Sequence, residues 1–344
     1  MSSSSGDQIL DNQSNIPTEF AALLVKDKEP LSDNYLSTCS VEDLPEGDTI
    51  VKVEWCCLNY KDALGLTGKA PIFRILPMVP GIDLSGVVVS SDSIPVGTKV
   101  VLNGYGVGET RWGGFAQYAR VPADWLITLS NEYDTWDAMA HGTAGYTAML
   151  CVNELRDKGV TPDKGRILVS GASGGVGSVA ILVLKGLGYD VFAVSSREST
   201  KSYLTQVLGA NGVITPEEIN PGGKPFGRPQ WAGVVDVCGG QILADCISAT
   251  AYNGVVAACG LAAGAPVSTS VMPFILRGVC LAGVDSAQRE YADRQRAWAD
   301  LEALVPSSKL KELTTEVDLQ NLVASAHDLI DQKLTGRVVV RIPH

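Results

Sequence analysis

The stretch RILVSGASGGVGSVAILVLKGLGYDVFAVSSR, residues 166–197, decides the fold. RILVSGA (166–172) is a short apolar run that ends in a Gly-rich turn, Gly171-Ala172-Ser173-Gly174-Gly175-Val176-Gly177. A helix opens in that turn and carries Ile181, Leu182, Leu184 and Leu187. DVFAVSS (190–196) follows as a second strand. Small residues let a backbone approach a pyrophosphate, and the free N–H groups at a helix start bind its charge. A Gly cluster alone is a weak signal. Strand, turn, helix and strand in that order make Ser173, Gly174, Gly175 and Val176 candidate cofactor contacts, against the plainer reading of a tight structural turn.

The tip of the second strand discriminates between cofactors. A site for NAD places Asp or Glu there to accept from the ribose hydroxyls. This chain has Ser195-Ser196-Arg197, and Glu198 comes only after the Arg. Hydroxyls beside a guanidinium suit a 2′-phosphate, which Arg can bind with two N–H groups. NADPH is the expected cofactor, and Lys201 adds charge nearby. The alternative is that Arg197 is an ordinary solvated charge at a helix start.

Downstream, a helix is expected over Thr200–Leu208, and GVI, GVVDVCG, GVVAACG and GVCLAGV read as further strands. Continuous Val/Ile/Ala runs mark parallel strands buried on both faces, so the chain from Arg166 onward reads as a doubly wound α/β sheet. Asp137–Leu155, Ala-rich and without Pro, reads as a helix. Upstream the pattern is β-rich. Candidate strands are Phe20–Val25, Thr49–Cys57, Gly86–Ser90, Thr98–Gly104 and Phe115–Val121, separated by Pro and Gly clusters. In TIVKVEWCC (49–57), period-two alternation puts Val51, Val53 and Trp55 on one face. Short strands at this spacing suggest an irregular barrel. Amphipathic helices around Tyr291–Leu304 and Leu319–Gln332 precede a last strand, Val338–Ile342.

Composition sets outer bounds. The chain of 344 residues is long enough for about two domains. Lys and Arg number 27 against 38 Asp and Glu, a net charge of −11, which argues against a nucleic-acid or anionic-membrane binder. It leaves room for an anionic small ligand in a local basic pocket. No window approaches ~20 uninterrupted apolar residues. Residues 1–17, Ser/Asp/Asn/Gln-rich at first, read as a disordered leader without the features of a secretory signal. The eight cysteines form no CxxC pair and there are three histidines, so no metal site is expected. Reduced, buried thiols in a cytoplasmic protein are the simplest reading. Cys56 and Cys57, beside a candidate site, are the pair to examine for reactivity.

A β-rich first half, SGASGGVGS, VSSRES and a returning tail together resemble the medium-chain dehydrogenase/reductase superfamily. LNYKDALGLTGK (58–69), PMVPGIDLSGVV (77–88), GYGVGETRWGGFAQYARV (104–121), GTAGYTAMLCV (142–152) and VMPFILRGVCLAGVDS (271–286) resemble its zinc-free acrylyl-CoA reductase branch, often labelled quinone oxidoreductase. The resemblance runs from about Phe20 to Ile342. It implies a GroES-like catalytic domain, residues 18–140 with the tail 305–344 returning to it. It also implies a Rossmann NADPH-binding domain, 141–304, and a homodimer formed through the Rossmann sheets. Zinc enzymes of the superfamily have Gly-His-Glu where this chain has Gly81-Ile82-Asp83, so Asp83 is expected to be a structural hydrogen-bond acceptor.

Without a metal to polarise a carbonyl, the reaction such a site suits is conjugate reduction. Hydride goes to the β-carbon of an activated alkene, enolate charge develops on oxygen, and a proton arrives at the α-carbon. By resemblance Tyr60 lines the nicotinamide pocket and is the first catalytic candidate, with Asn59 second. Each has a plain alternative, a rim tyrosine and a turn residue. Thr147, Leu261, Ile275 and Ser286 fall in family cofactor-contact segments. Lys61 and Asp62 read as an exposed pair or helix-start charges, and His141 as structural. Lys61, Lys69, Arg74 and Arg111 are candidate cations for a CoA substrate, or ordinary surface charges. The expected activity is reduction of acryloyl-CoA to propanoyl-CoA. A quinone or unsaturated-ketone reductase is the alternative, and a non-catalytic NADPH-binding protein the lesser one.

Overall fold

The computed structural model describes residues 16–27, 31 and 35–344, so nearly all of the expected leader lies outside it. The first half carries strands β1 (Glu19–Leu23), β2 (Leu36–Ser40), β3 (Thr49–Cys57), β4 (Asp83–Ser91), β5 (Lys99–Asn103), β6 (Tyr118–Val121) and β7 (Ile127–Thr128). Helix α1 (Tyr60–Leu66) follows β3, and the long α2 (Thr135–Asp157) leads out of this half. The middle alternates β8 (Ile167–Val169), α3 (Gly175–Gly186), β9 (Val191–Val194), β10 (Gly212–Ile214), α4 (Pro216–Ile219), β11 (Trp231–Asp236), α5 (Gly240–Ala249), β12 (Thr250–Ala258), α6 (Met272–Arg277) and β13 (Cys280–Gly283). The end runs α7 (Tyr291–Leu304), α8 (Ser307–Leu313), β14 (Thr314–Asp318), α9 (Leu322–Ile330) and β15 (Arg337–Arg341).

The expected fold class holds. The middle strands form a six-stranded parallel sheet in the order β10-β9-β8-β11-β12-β13. Counted from β8, that is the 3-2-1-4-5-6 order of a Rossmann sheet. Its first and fourth strands are wholly buried, as their apolar runs require. The second sheet runs β14-β15-β3-β4-β5-β7, with β6 also pairing β3. The tail strand β15 lies antiparallel beside β3, with Val340 opposite Cys56 and Val339 opposite Cys57. Two large cores form, and the second, centred on the Rossmann sheet and α2, also takes in Cys57, Val101 and Val339 of the other sheet. Val51, Val53, Leu84 and Val340 belong to one, and Ile167, Val169, Val179 and Val235 to the other.

Several local expectations change. Val51 and Val53 are buried, but a register shift between Val53 and Trp55 breaks the alternation of β3. Trp55 is half-buried under the Arg341 guanidinium, and Cys56 and Cys57 are both fully buried. The helix expected over Thr200–Leu208 begins as a 3-10 turn at Glu198–Thr200 and widens to a π turn at Tyr203–Val207. The helix expected over Leu319–Gln332 is shorter, and the sequence reading missed β2, α8 and β14.

Candidate active site

Where α2 packs on β3 and β4 lies a buried polar cluster built on Asp83. Its Oδ2 accepts from Cys57 Sγ at 2.8 Å, Asn59 Nδ2 at 2.9 Å and the Thr143 N–H at 2.8 Å. Its Oδ1 accepts the Cys57 N–H at 3.2 Å. The Thr143 N–H is available because α2 breaks at Gly142, where φ is 52° and ψ −158°. That left-handed backbone suits glycine, and a Cβ there would collide with Cys57 Sγ and Arg337 Nη2. The carbonyl freed on the other side of the break, Ala140 O, accepts from Arg337 Nε at 3.0 Å. Arg337 Nη2 also donates to Cys57 Sγ at 2.8 Å. The C-terminal strand thus repairs the kink in the helix that joins the domains.

Of the two readings for Asp62, the helix-start charge holds and the exposed one does not: it is the third residue of α1. It is buried, and its carboxylate accepts the Asn59 N–H and Ile82 N–H, both at 3.0 Å, which ties the start of α1 to Gly81-Ile82-Asp83. Burial, and then the charge of Asp83, push its carboxyl up to about 7. Burial and Asp83 also raise the Cys57 thiol well above its usual range, with Arg337 opposing. Burial raises Cys56 in the same direction, and its Sγ donates to Gly114 O at 2.6 Å. Neither thiol is poised for reaction. His141 is wholly buried, and burial, and then Arg337, hold it down at about 3. It stays neutral between Tyr133 and Trp298.

This donor set does not fit zinc. Ile82 offers no ligand atom, the Cys57 thiol and Asp83 carboxylate are hydrogen-bonded to each other, and a guanidinium sits against the sulfur. A cation already lies where a dication would need to be.

The other expected residues lie as follows. Tyr60 opens α1 and is 50% exposed. Asn59 is buried, and its amide nitrogen faces Asp83 and Cys57. Thr147 is buried on α2 and donates to Thr143 O at 2.7 Å. The Gly-rich turn enters α3 with Gly174 as its cap. Gly171 has φ +57°, and a Cβ on Gly177 would strike the Gly171 carbonyl. These are the tight turn and the close helix–strand approach that a dinucleotide turn needs. At the tip of β9, Ser195 Oγ lies 2.8 Å from Thr200 Oγ1 and accepts the Arg197 N–H, while Ser196 is exposed. Arg197 Nη2 donates to Ser173 Oγ at 2.7 Å, which joins the two cofactor motifs. Leu261 is 66% exposed after β12, and Ile275 is 72% exposed on α6 among Val271, Met272 and Leu276. The Ser286 carbonyl accepts from Arg294.

Of the candidate CoA cations, Lys61 pairs with Glu109 at 2.8 Å and Arg111 donates to Glu46 O, while Lys69 and Arg74 are exposed. Sequence reasoning missed Gly142, Thr143 and Arg337. A Gly inside a helical run was a signal for the first. An Arg opening an apolar strand was a faint one for the last.

The arrangement is a nucleotide turn beside a polar junction whose donors do not fit zinc, and it defines a class of zinc-independent, dinucleotide-dependent oxidoreductases. A family model described as "Alcohol dehydrogenase GroES-like domain" matches residues 45–131, and one described as "Zinc-binding dehydrogenase" matches 175–303. Acrylyl-CoA reductase AcuI of Ruegeria pomeroyi is 45% identical over 94% of this chain and 99% of that protein. "Putative quinone oxidoreductase YhfP" of Bacillus subtilis is 40% identical over 94% and 99%, and its structure with NAD bound superposes with a TM-score of 0.89. The yhdH oxidoreductase from Salmonella enterica, solved in complex with NADP, is 44% identical over 94% of this chain and 100% of that one, with a TM-score of 0.89. The chain belongs to the medium-chain dehydrogenase/reductase superfamily, in its zinc-free acrylyl-CoA reductase and quinone oxidoreductase branch.

Proposed function

We propose that this protein is an NADPH-dependent reductase of activated C=C bonds that converts acryloyl-CoA to propanoyl-CoA. The observation that carries the reading is the 45% identity, over nearly the whole of both chains, to an acrylyl-CoA reductase. The Ser195-Ser196-Arg197 tip, which has a guanidinium where NAD sites carry a carboxylate, supports NADPH. When bound, the cofactor supplies a hydride.

The chain's own residues do the rest. Ser173, Gly174, Gly175 and Val176 hold the pyrophosphate at the start of α3, and Ser195, Ser196 and Arg197 hold the 2′-phosphate. Thr147, Leu261, Ile275 and Ser286 border the nicotinamide half. Tyr60 orients the alkene and carries a proton toward its α-carbon. Asn59, with its amide committed to Asp83, fixes the start of α1 and so positions Tyr60. Lys69 and Arg74 meet the CoA phosphates. Residues 18–140 and 305–344 form the catalytic domain and 141–304 the cofactor domain.

The working unit is a homodimer in the cytoplasm. Among the described residues β13 ends its sheet with an unpaired edge, and Leu281, Ile275, Leu276 and Val271 expose apolar surface near it. An open edge with an apolar rim suits two-fold pairing with a second copy. The described residues hold no helix long and apolar enough to cross a membrane, and the cysteines are free.

A quinone reductase is the second reading, favoured by the YhfP likeness. The test follows NADPH absorbance with acryloyl-CoA and, in parallel, 1,4-benzoquinone, with NADH as the control. Turnover with the thioester and NADPH, weak with quinone or NADH, is the expected result. Strong quinone turnover without thioester activity replaces the first reading by the second.

A further inference from the structure

Arg197 does not stand free at the tip of β9. Its Nη1 donates to the Gln332 carbonyl at 2.6 Å and its Nη2 to Ser173 Oγ at 2.7 Å. Gln332 belongs to the turn between α9 and β15, whereas Ser173 belongs to the Gly-rich turn. The Ser173 carbonyl in turn accepts the Gly336 N–H at 3.0 Å. The tail turn 332–336 is therefore fastened to the cofactor turn at both ends, directly at Gly336 and through Arg197 at Gln332. Gln332 holds φ at +57°, a conformation that costs a residue with a side chain, and its carbonyl is the one that receives the guanidinium. A guanidinium carries five N–H donors in one plane. The two bonds spend one on each Nη and leave the Nε–H and a second hydrogen on each Nη. Two of these suffice for a phosphate. A long side chain already held on two sides has less freedom to lose when a ligand arrives.

We infer that Gln332 is a positioning residue for cofactor choice. Its backbone carbonyl, delivered by the C-terminal tail, orients Arg197 toward a 2′-phosphate, and phosphate binding in turn holds the 332–336 turn on the Gly-rich turn. This rests on the reading of Arg197 as the 2′-phosphate ligand. The coupling is reciprocal, since whatever the docked tail adds to phosphate affinity the phosphate adds to tail docking.

The test uses the full chain with adenosine 2′,5′-bisphosphate and 5′-AMP as probes. Amide exchange in the 331–337 segment slows about tenfold with the bisphosphate and is unchanged by 5′-AMP at equal saturation. Gln332→Val, which resists positive φ, weakens the bisphosphate by about five- to tenfold and leaves 5′-AMP unchanged. Gln332→Asn, which tolerates that backbone, restores it. If Arg197→Ala abolishes the preference for the bisphosphate while Gln332→Val keeps it and exchange does not slow, the inference fails and the 2′-phosphate reading stands. If Gln332→Val weakens both probes alike, the tail is only a structural prop and the inference also fails. If wild type binds the two probes equally, both readings fall together.

Discussion

Arg337 Nη2 lies 2.8 Å from Cys57 Sγ, across 280 residues of sequence, inside a cluster that also holds the Asp83 carboxylate. A guanidinium only 3% exposed is costly to bury, and what it serves is the broken end of α2 at Ala140. Replacing Arg337 with Met leaves the Ala140 carbonyl and Cys57 Sγ buried without their donor. The expected loss is roughly 1–3 kcal/mol of stability, read by urea unfolding. Asp83→Asn destabilises less, and the double variant loses less than the sum. Additive losses would sink the idea of one connected network.

Gly142→Ala forces a side chain onto a backbone at φ 52° and into Cys57 Sγ and Arg337. The backbone alone contributes about 1–3 kcal/mol of destabilisation. A variant with an unchanged melting temperature would show that the kink at Gly142 is not required.

Tyr60→Ala should lower kcat/KM for acryloyl-CoA by about a hundredfold while the Kd for NADPH changes little. Tyr60→Phe separates the hydroxyl from the ring. Full activity in both variants removes Tyr60 from the chemistry.

The pH dependence of stability has two opposing limbs. Asp62 sits at about 7 in the folded protein, above the ~3.9 of an unfolded Asp, so the folded state holds the extra proton between these values. Its contribution falls as pH rises through that window, and the loss is complete above the folded value. His141 sits at about 3, below the ~6.5 of an unfolded His, so its contribution falls as pH drops below ~6.5. Unfolding free energies measured across about pH 4–8 should lose the first slope in Asp62→Asn and the second in His141→Gln. Variant curves parallel to wild type would contradict both assignments.

Thiol reagents offer a direct check on the cysteines. Cys259, partly exposed and outside β13, should react first in the native protein, and Cys56 and Cys57 only on unfolding. Mapping the labelled peptides decides it, and early labelling of Cys57 would mean that the cluster opens readily.

The Rossmann half was legible because its signals are local. Continuous apolar runs mark strands buried on both faces, and the turn from Gly171 to Gly177 carries its phosphate chemistry in seven adjacent residues. Ser195-Ser196-Arg197 is equally local. The catalytic half was read less sharply. A bulge in β3 changed which of Trp55, Cys56 and Cys57 are buried, and short strands such as β2 and β14 have little pattern of their own and are held by their partners.

The sequence by itself determined the strand–turn–helix–strand run of the Rossmann half, the nucleotide turn and the absence of a histidine at position 82, because each is written in neighbouring residues. Only the tertiary structure decided that Asp62 is buried, that Gly142 breaks α2, and that Arg337 returns from the tail to the Asp83 cluster and Gln332 to Arg197. These are contacts between residues far apart in the chain. The burial that shifts Asp62 comes from packing α1 against the Gly81-Ile82-Asp83 segment, that of His141 from packing α2 against Tyr133 and Trp298, and no local stretch of sequence encodes either.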